Sequence, residues 1–255
     1  MKRLSIGIIT LFTIPVLLPF IPLQLSAQEI ASNNGDGENG SLAEPEVANY
    51  LDRHRAVRRV EQLQQMTILD IQRLKILVAN FGSEVSDAQG DFEKIKELYR
   101  QAQEKWYKRR YVESLNLHND AREIVVNLFK KISVLYQQDV SEMLDDCSTR
   151  LVDAEFSQSL EPGQRNDISK TIAISQQKLK IAYQQTALAE DMLRENRYSD
   201  AIKHYRLAKI FAIDVIRDLE MDPAKKQEID TTYRVHLLDS RGIAVDNSGG
   251  GGNTR

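Results

Sequence analysis

Arg110-Tyr111-Val112-Glu113-Ser114-Leu115-Asn116-Leu117-His118-Asn119-Asp120-Ala121 returns, 87 positions later, as Arg197-Tyr198-Ser199-Asp200-Ala201-Ile202-Lys203-His204-Tyr205-Arg206-Leu207-Ala208. In each copy a tyrosine is followed at three residues by a small side chain, at seven by a ring and at ten by an alanine. Steps of three, four and three place Tyr111, Ser114, His118 and Ala121 on one face of a helix, and Tyr198, Ala201, Tyr205 and Ala208 on another. Small residues on such a face let a neighbouring helix come close while the rings fill the space beside it. The spacing predicts an all-α protein in which helical hairpins pack through these ridges.

Working outward, no glycine or proline occurs between Asp91 and Pro162. This stretch divides into a helix from about Asp91 to Lys108, a tight turn at Arg109-Arg110-Tyr111, and a helix ending near Ser157, which would extend for ~65–70 Å and project its far half as an arm. An internal turn near Gln137 to Val140 is the alternative. Ala121, Val125, Leu128, Ile132 and Leu135 form one apolar series, and Tyr136, Val140, Met143, Cys147, Leu151 and Ala154 a second, with the alternating steps of a coiled-coil seam that another helix must cover. Upstream, a helix from Glu44 or Pro45, with Ser41 and Glu44 as a capping box, runs to Phe81 before Gly82. Its apolar stripe is Val60, Leu63, Ile68, Ile71, Leu74 and Leu77.

Pro162-Gly163 predicts a reversal, with Asn166 or Asp167 capping a returning helix that carries Ile168, Ile172, Leu179, Tyr183, Thr186, Ala189 and Leu193. That helix turns at Glu195-Asn196-Arg197-Tyr198 into the second motif helix, which ends near Met221. Asp222-Pro223 reads as a cap followed by proline at the first position of a last helix toward Leu238. The resulting organisation is an export signal at 1–27, a mobile leader at 28–43, a first helical unit at 44–157 with its hairpin at 91–136, a second at 158–240 with its hairpin at 167–221, and a flexible tail at 241–255. The architecture expected is an elongated arrangement of long helices.

The signal rests on Lys2 and Arg3, an apolar run from Leu4 to Leu23, and the small residues of Leu25-Ser26-Ala27 before Gln28, where cleavage is expected. Pro15, Pro19 and Pro22 interrupt the run and argue against a retained membrane anchor, since ~20 apolar residues are needed to cross a bilayer. No cysteine follows to take a lipid. The product is expected outside the cytoplasm, in the periplasm, without stable insertion into the membrane. A net charge of −3 supplies no field to draw it onto nucleic acid, and a single cysteine excludes an intrachain disulfide, so stability must come from helix packing.

With Ala102 and Ala189 added, the two copies become Ala102, Tyr111, Ser114, His118, Ala121 and Leu188-Ala189, Tyr198, Ala201, Tyr205, Ala208. This pattern resembles the tetratricopeptide repeat, a helix pair with a small residue in its first helix and rings and alanines in its second. Gln101 stands where the pattern has leucine, Val126 or Ile213 replaces the closing proline, and the copies lie farther apart than the family's ~34-residue period. The resemblance spans about 98–126 and 185–213 and implies two such hairpins embedded in longer helices, binding proteins or peptides. The export signal, long paired helices and motif hairpins together look like the flagellar coiling and sheath proteins of spirochaete periplasmic flagella. That likeness implies flagellar filament or sheath proteins as partners and an effect on filament shape and motility. A periplasmic adaptor that binds a peptide or a transporter component is the other reading.

Little points to catalysis, and no cofactor, metal or catalytic residue is assigned. Cys147 lies in register with Met143 and Leu151 and reads as a packed thiol. His54, His118, His204 and His236 are scattered. Glu142, Asp145 and Asp146 read as a solvated helix face, and neither a glycine-rich phosphate loop nor a serine-hydrolase elbow occurs. Two basic clusters are the candidate protein interface. Arg53-His54-Arg55 with Arg58 and Arg59 reads more readily as solvated surface, with local pairs such as Arg58 to Glu61. Lys105, Lys108, Arg109 and Arg110 flank Trp106 and Tyr107, a composition common in interface anchors. Leu193 matches Trp106 in the second copy, which leaves open whether this ring anchors a partner or packs within its hairpin.

Overall fold

A computed structural model describes residues 50–160 and 165–245. Among the described residues there are seven helices and no strand: α1 Tyr50–Phe81, α2 Ala88–Tyr107, α3 Tyr111–Leu160, α4 Arg165–Arg194, α5 Tyr198–Leu219, α6 Pro223–Thr232 and α7 Arg234–Ser240. They belong to one compact unit, Val47–Arg255. The signal, the leader, the Ser41/Glu44 cap, the Pro162-Gly163 reversal and the glycine tail from Ser248 lie outside the described residues.

Helix α1 buries Val60, Leu63, Leu74 and Leu77 as its stripe predicts, with Ile71 half-buried. Ile68 points outward, and Thr67 and Asp70 occupy the buried positions instead. Gly82 ends the helix: a Cβ there would stand 2.3 Å from the Val78 carbonyl oxygen, so any larger residue must push the backbone apart. The connection tightens through Glu84 N–H to Phe81 O and Ala88 N–H to Val85 O, while the Val85 side chain enters the core. Helix α2 starts at Ala88, earlier than the Gly90-Asp91 punctuation implies, because Ala88, Phe92 and Ile95 bury one continuous face. Gly90 sits in its first turn, in open space.

Helix α3 is continuous for 50 residues, ~75 Å at 1.5 Å rise, and the alternative turn at Gln137 to Val140 does not form. Both apolar series face inward, with Leu135 and Ala154 half-buried. Ser148 and Thr149 donate to Leu144 O and Asp145 O one turn back, which satisfies their hydroxyls without breaking the helix. The far half is not a free arm: Met143, Leu144, Cys147 and Leu151 are buried, and α3 packs against α1, α2, α4 and α5. The hairpin expected at 91–136 is therefore the α2–α3 pair, in which α3 does not stop at residue 136.

Helix α4 includes Asn166 and Asp167 within its span, since it starts at Arg165. It buries Ile172, Ser175, Leu179, Ala182 and Ala189, whereas Tyr183, expected on the stripe, is 46 % exposed with its hydroxyl 3.1 Å from Ser148 Oγ. Helix α5 ends at Leu219 and is the most enclosed, burying nine of its residues from Ala201 to Ile216. Asp222 caps α6 as predicted, accepting from Ala224 N–H at 2.8 Å with Pro223 in the first turn. The last helix breaks at Tyr233 into α6 and α7, and α7 packs against α1 and α5. Residues 241–245 are held in place: Asn80 donates to Ile243 O at 3.1 Å and accepts from Val245 N–H at 2.8 Å. Gly242, with φ of 71°, supplies the left-handed residue of that turn.

Candidate functional site: the hairpin ridges and the first hairpin tip

The two motif hairpins share their turn as well as their sequence. Tyr107 and Arg194 end the first helices, and Tyr111 and Tyr198 begin the second. Arg109 and Asn196 adopt φ of 60° and 59°. Arg109 N–H and Arg110 N–H donate to Trp106 O and Lys105 O; Asn196 N–H and Arg197 N–H donate to Leu193 O and Met192 O, the same doubly closed cap 87 positions on.

The small residues and rings lie where the pattern puts them. Ala102, Ser114, His118 and Ala121 are buried, as are Ala189, Ala201, Tyr205 and Ala208, with Tyr111 and Tyr198 half-buried at the hairpin mouths. Ser114 Oγ donates to Ala102 O at 2.8 Å, so the small pair brings α2 and α3 to hydrogen-bonding distance. His118 stands edge-on to Tyr99 at 5.7 Å, and neither ring nitrogen has a hydrogen-bond partner among the described residues. Burial therefore lowers its pKa, and burial raises that of Tyr205, whose hydroxyl is likewise unpartnered, to about 12.

Sequence reasoning missed the next position. A cation follows the repeated alanine in both copies, and each reaches a carboxylate on a neighbouring helix: Arg122 pairs with Asp70 of α1, and Lys209 with Asp139 of α3. Lys209 is 1 % exposed, with its ammonium 3.9 Å from the Tyr136 ring centroid and 3.2 Å from His236 Nδ1. Beside it Asp239 of α7 accepts from Tyr136 Oη and, through both oxygens, from Arg206 at 2.7 and 2.8 Å. Asn80 of α1 also donates to Asp239, at 3.3 Å, and the result is a polar lock joining α1, α3, α5 and α7. Burial lowers the Lys209 pKa, and burial together with the Lys209 charge pushes His236 down to about 4. The available signal was register: Leu63, Asp70 and Leu77 share one heptad position, and Lys209 lies four residues from both Tyr205 and Ile213.

The two basic clusters meet at the first hairpin tip. The Arg53 guanidinium lies over the Tyr111 ring at 5.3 Å, and Trp106 meets the same ring edge-on at 4.9 Å. Trp106 is thus half-buried and packed within its hairpin, while Tyr107 is 79 % exposed. Lys108 pairs with Glu104 at 2.6 Å, Lys105 with Glu113 at 3.0 Å, and Arg110 with Glu113. Arg55 lies 3.8 Å from Asp52. The expected Arg58 to Glu61 pair does not form; among the described residues Arg58 and Arg109 have no acidic partner, and Arg59 reaches only Gln62 at 3.4 Å.

The remaining candidates separate. Cys147 is fully buried, its thiol donating to Ala212 O at 3.2 Å, and burial pushes its pKa up to about 12, so it is a packed thiol without a reactive thiolate. Glu142 accepts from Gln138, Asp146 pairs with Arg150, and Asp145 is exposed. Among the described residues no group of three or more histidine, cysteine or carboxylate side chains converges on a metal position. No described helix is long and apolar enough to cross a membrane. Comparison with protein-family models, curated proteins and solved structures gives no match for this chain.

Proposed function

We propose that the protein is a non-catalytic exported scaffold that acts through protein–protein contacts, as a component of the sheath around a periplasmic flagellar filament. The observation that carries the scaffold reading is the pair of equivalent hairpins, each tied to a neighbouring helix by an ion pair at the same repeat position, Arg122 to Asp70 and Lys209 to Asp139, while one tip leaves guanidiniums and a tyrosine turned outward. Such a body presents rigid faces and one chemically distinctive end. The sheath assignment draws on the export signal combined with long paired helices and motif hairpins.

A sheath component cofractionates with purified periplasmic flagella, and its deletion changes filament curvature and motility. Absence from the filament together with normal motility contradicts the assignment. The adaptor reading draws on a separate feature, a cavity of about 470 Å³ lined by Ala154, Ile168, Ile172, Leu219 and Met221, with Arg150 and Asp218 at its polar side. An adaptor is recovered with one peptide or transporter component and is absent from filaments.

A further inference from the structure

We infer that the first hairpin tip is a docking site for a carboxylate-rich segment of a partner protein, with Arg109 and Arg53 as its guanidinium contacts and Tyr107 as its exposed aromatic contact. This deepens the scaffold reading and rests on it.

The argument starts from the internal comparison that the repeat provides. Arg109 and Asn196 occupy the same left-handed position of the same turn, at φ of 60° and 59°. Asparagine is among the few side chains that adopt this region readily; arginine is not. The turn itself therefore does not ask for arginine, and the second copy shows the residue that suits it. Nor does an internal contact hold Arg109 there, since it has no acidic partner among the described residues. The other cations of both turns are neutralised: Lys105, Lys108 and Arg110 pair with glutamates at the first tip, and at the second Arg194 pairs with Asp191 at 2.5 Å and Arg197 with Glu195 and Asp200 at 3.2 and 3.0 Å. An unpaired guanidinium on a disfavoured backbone is the kind of local conflict that marks a contact outside the chain.

The neighbours agree with an acidic protein segment. Arg53 is stacked on Tyr111, so its planar fork is positioned before a partner arrives, and Arg forks match carboxylates bidentately. Tyr107 offers a large exposed ring within two residues of Arg109. An extended polyanion fits less well. The chain's net charge of −3 repels a long nucleic acid or an anionic membrane beyond the tip, whereas a short segment feels mainly the charges within a Debye length of ~8–10 Å.

Trp106 is the only tryptophan and packs on Tyr111, so its emission reports the site directly. The test titrates the full chain at low ionic strength with an oligoglutamate peptide, and in parallel with phosphatidylglycerol vesicles and a single-stranded oligonucleotide. The expected result is a saturable change in Trp106 emission with the peptide, weakened about tenfold by Arg109→Asn or Arg53→Gln, as loss of a hydrogen bond between charged groups implies. Arg197→Gln at the second tip leaves the titration unchanged. Arg109→Asn places the second copy's own residue in the turn, so its melting temperature rises by about 2–4 °C for relief of roughly 1 kcal/mol of backbone strain, and weakened binding is not misfolding. Peptide binding equal in wild type and Arg109→Asn overturns the proposal, as does tighter, Arg109-dependent binding of the vesicles or the oligonucleotide. Crosslinking in cells separates this from the scaffold reading. Proteins still recovered with Arg109→Asn, after its peptide titration has matched wild type, sink the tip alone; no protein recovered with either chain sinks the scaffold.

Discussion

Lys209 and His236 show how much of this protein's stability depends on single protonation states. An ammonium and an imidazole lie 3.2 Å apart beneath Phe81 and Tyr136, with Asp139 and Asp239 as the nearby carboxylates and Arg206 on Asp239. Only the neutral imidazole suits this site, and burial and Lys209 hold its pKa near 4, below the ordinary value of about 6.5. The unfolded chain therefore binds a proton that the folded chain refuses between those two values. Its contribution is fully present above about pH 6.5 and is lost as pH falls toward 4. His118, lowered by burial, acts in the same direction. Denaturation across pH 7 to 4.5 should show stability falling by an order of 2 kcal/mol. His236→Leu should flatten that slope; a slope unchanged in the variant would remove His236 as its source.

At the scale of elements, the seam of α3 and the ridges of the two hairpins were legible because each buried position is apolar or small and recurs at helical spacing. Ile68 and Tyr183 were misplaced for a related reason: an apolar type was credited over the register, which assigns the inward positions to Thr67, Asp70, Ser175 and Ala182. The break at Tyr233 carried no glycine or proline signal. It is a bend made by packing, since Tyr233 N–H still reaches Ile229 O and Leu237 N–H reaches Tyr233 O while the ring turns toward His236. The polar lock was the least legible part, because its members lie on four helices far apart in sequence. Asp239 is its hub and holds α7 between α1 and α5. Asp239→Ala leaves the half-buried Arg206 and the buried Tyr136 hydroxyl without their shared carboxylate and should cost about 1.5–3 kcal/mol in urea denaturation. A loss below about 1 kcal/mol would place that pair among the weak surface type and remove the lock from the account.

Across the described unit, the division of labour is between an interior that is closed and a tip that is open. The buried Asp70, Ser114, Lys209 and Asp239 join one helix to another, the lone thiol is packed away, and Arg53 and Arg109 stand without an acidic partner among the described residues where α1 meets the α2–α3 turn. Composition fixed none of this, since a chain of net charge −3 could have distributed 34 basic and 37 acidic side chains evenly. The internal repeat makes the asymmetry visible, because the second tip shows the same turn with a neutral asparagine, Asn196, where the first carries the unpaired Arg109. A photoreactive phenylalanine analogue at Tyr107, irradiated in intact cells, tests this account most directly. The account predicts one discrete protein adduct whose yield falls when Arg109 is changed to asparagine, and little adduct from the same probe at exposed Leu207. Equal adducts from both positions, or none from Tyr107, would contradict it.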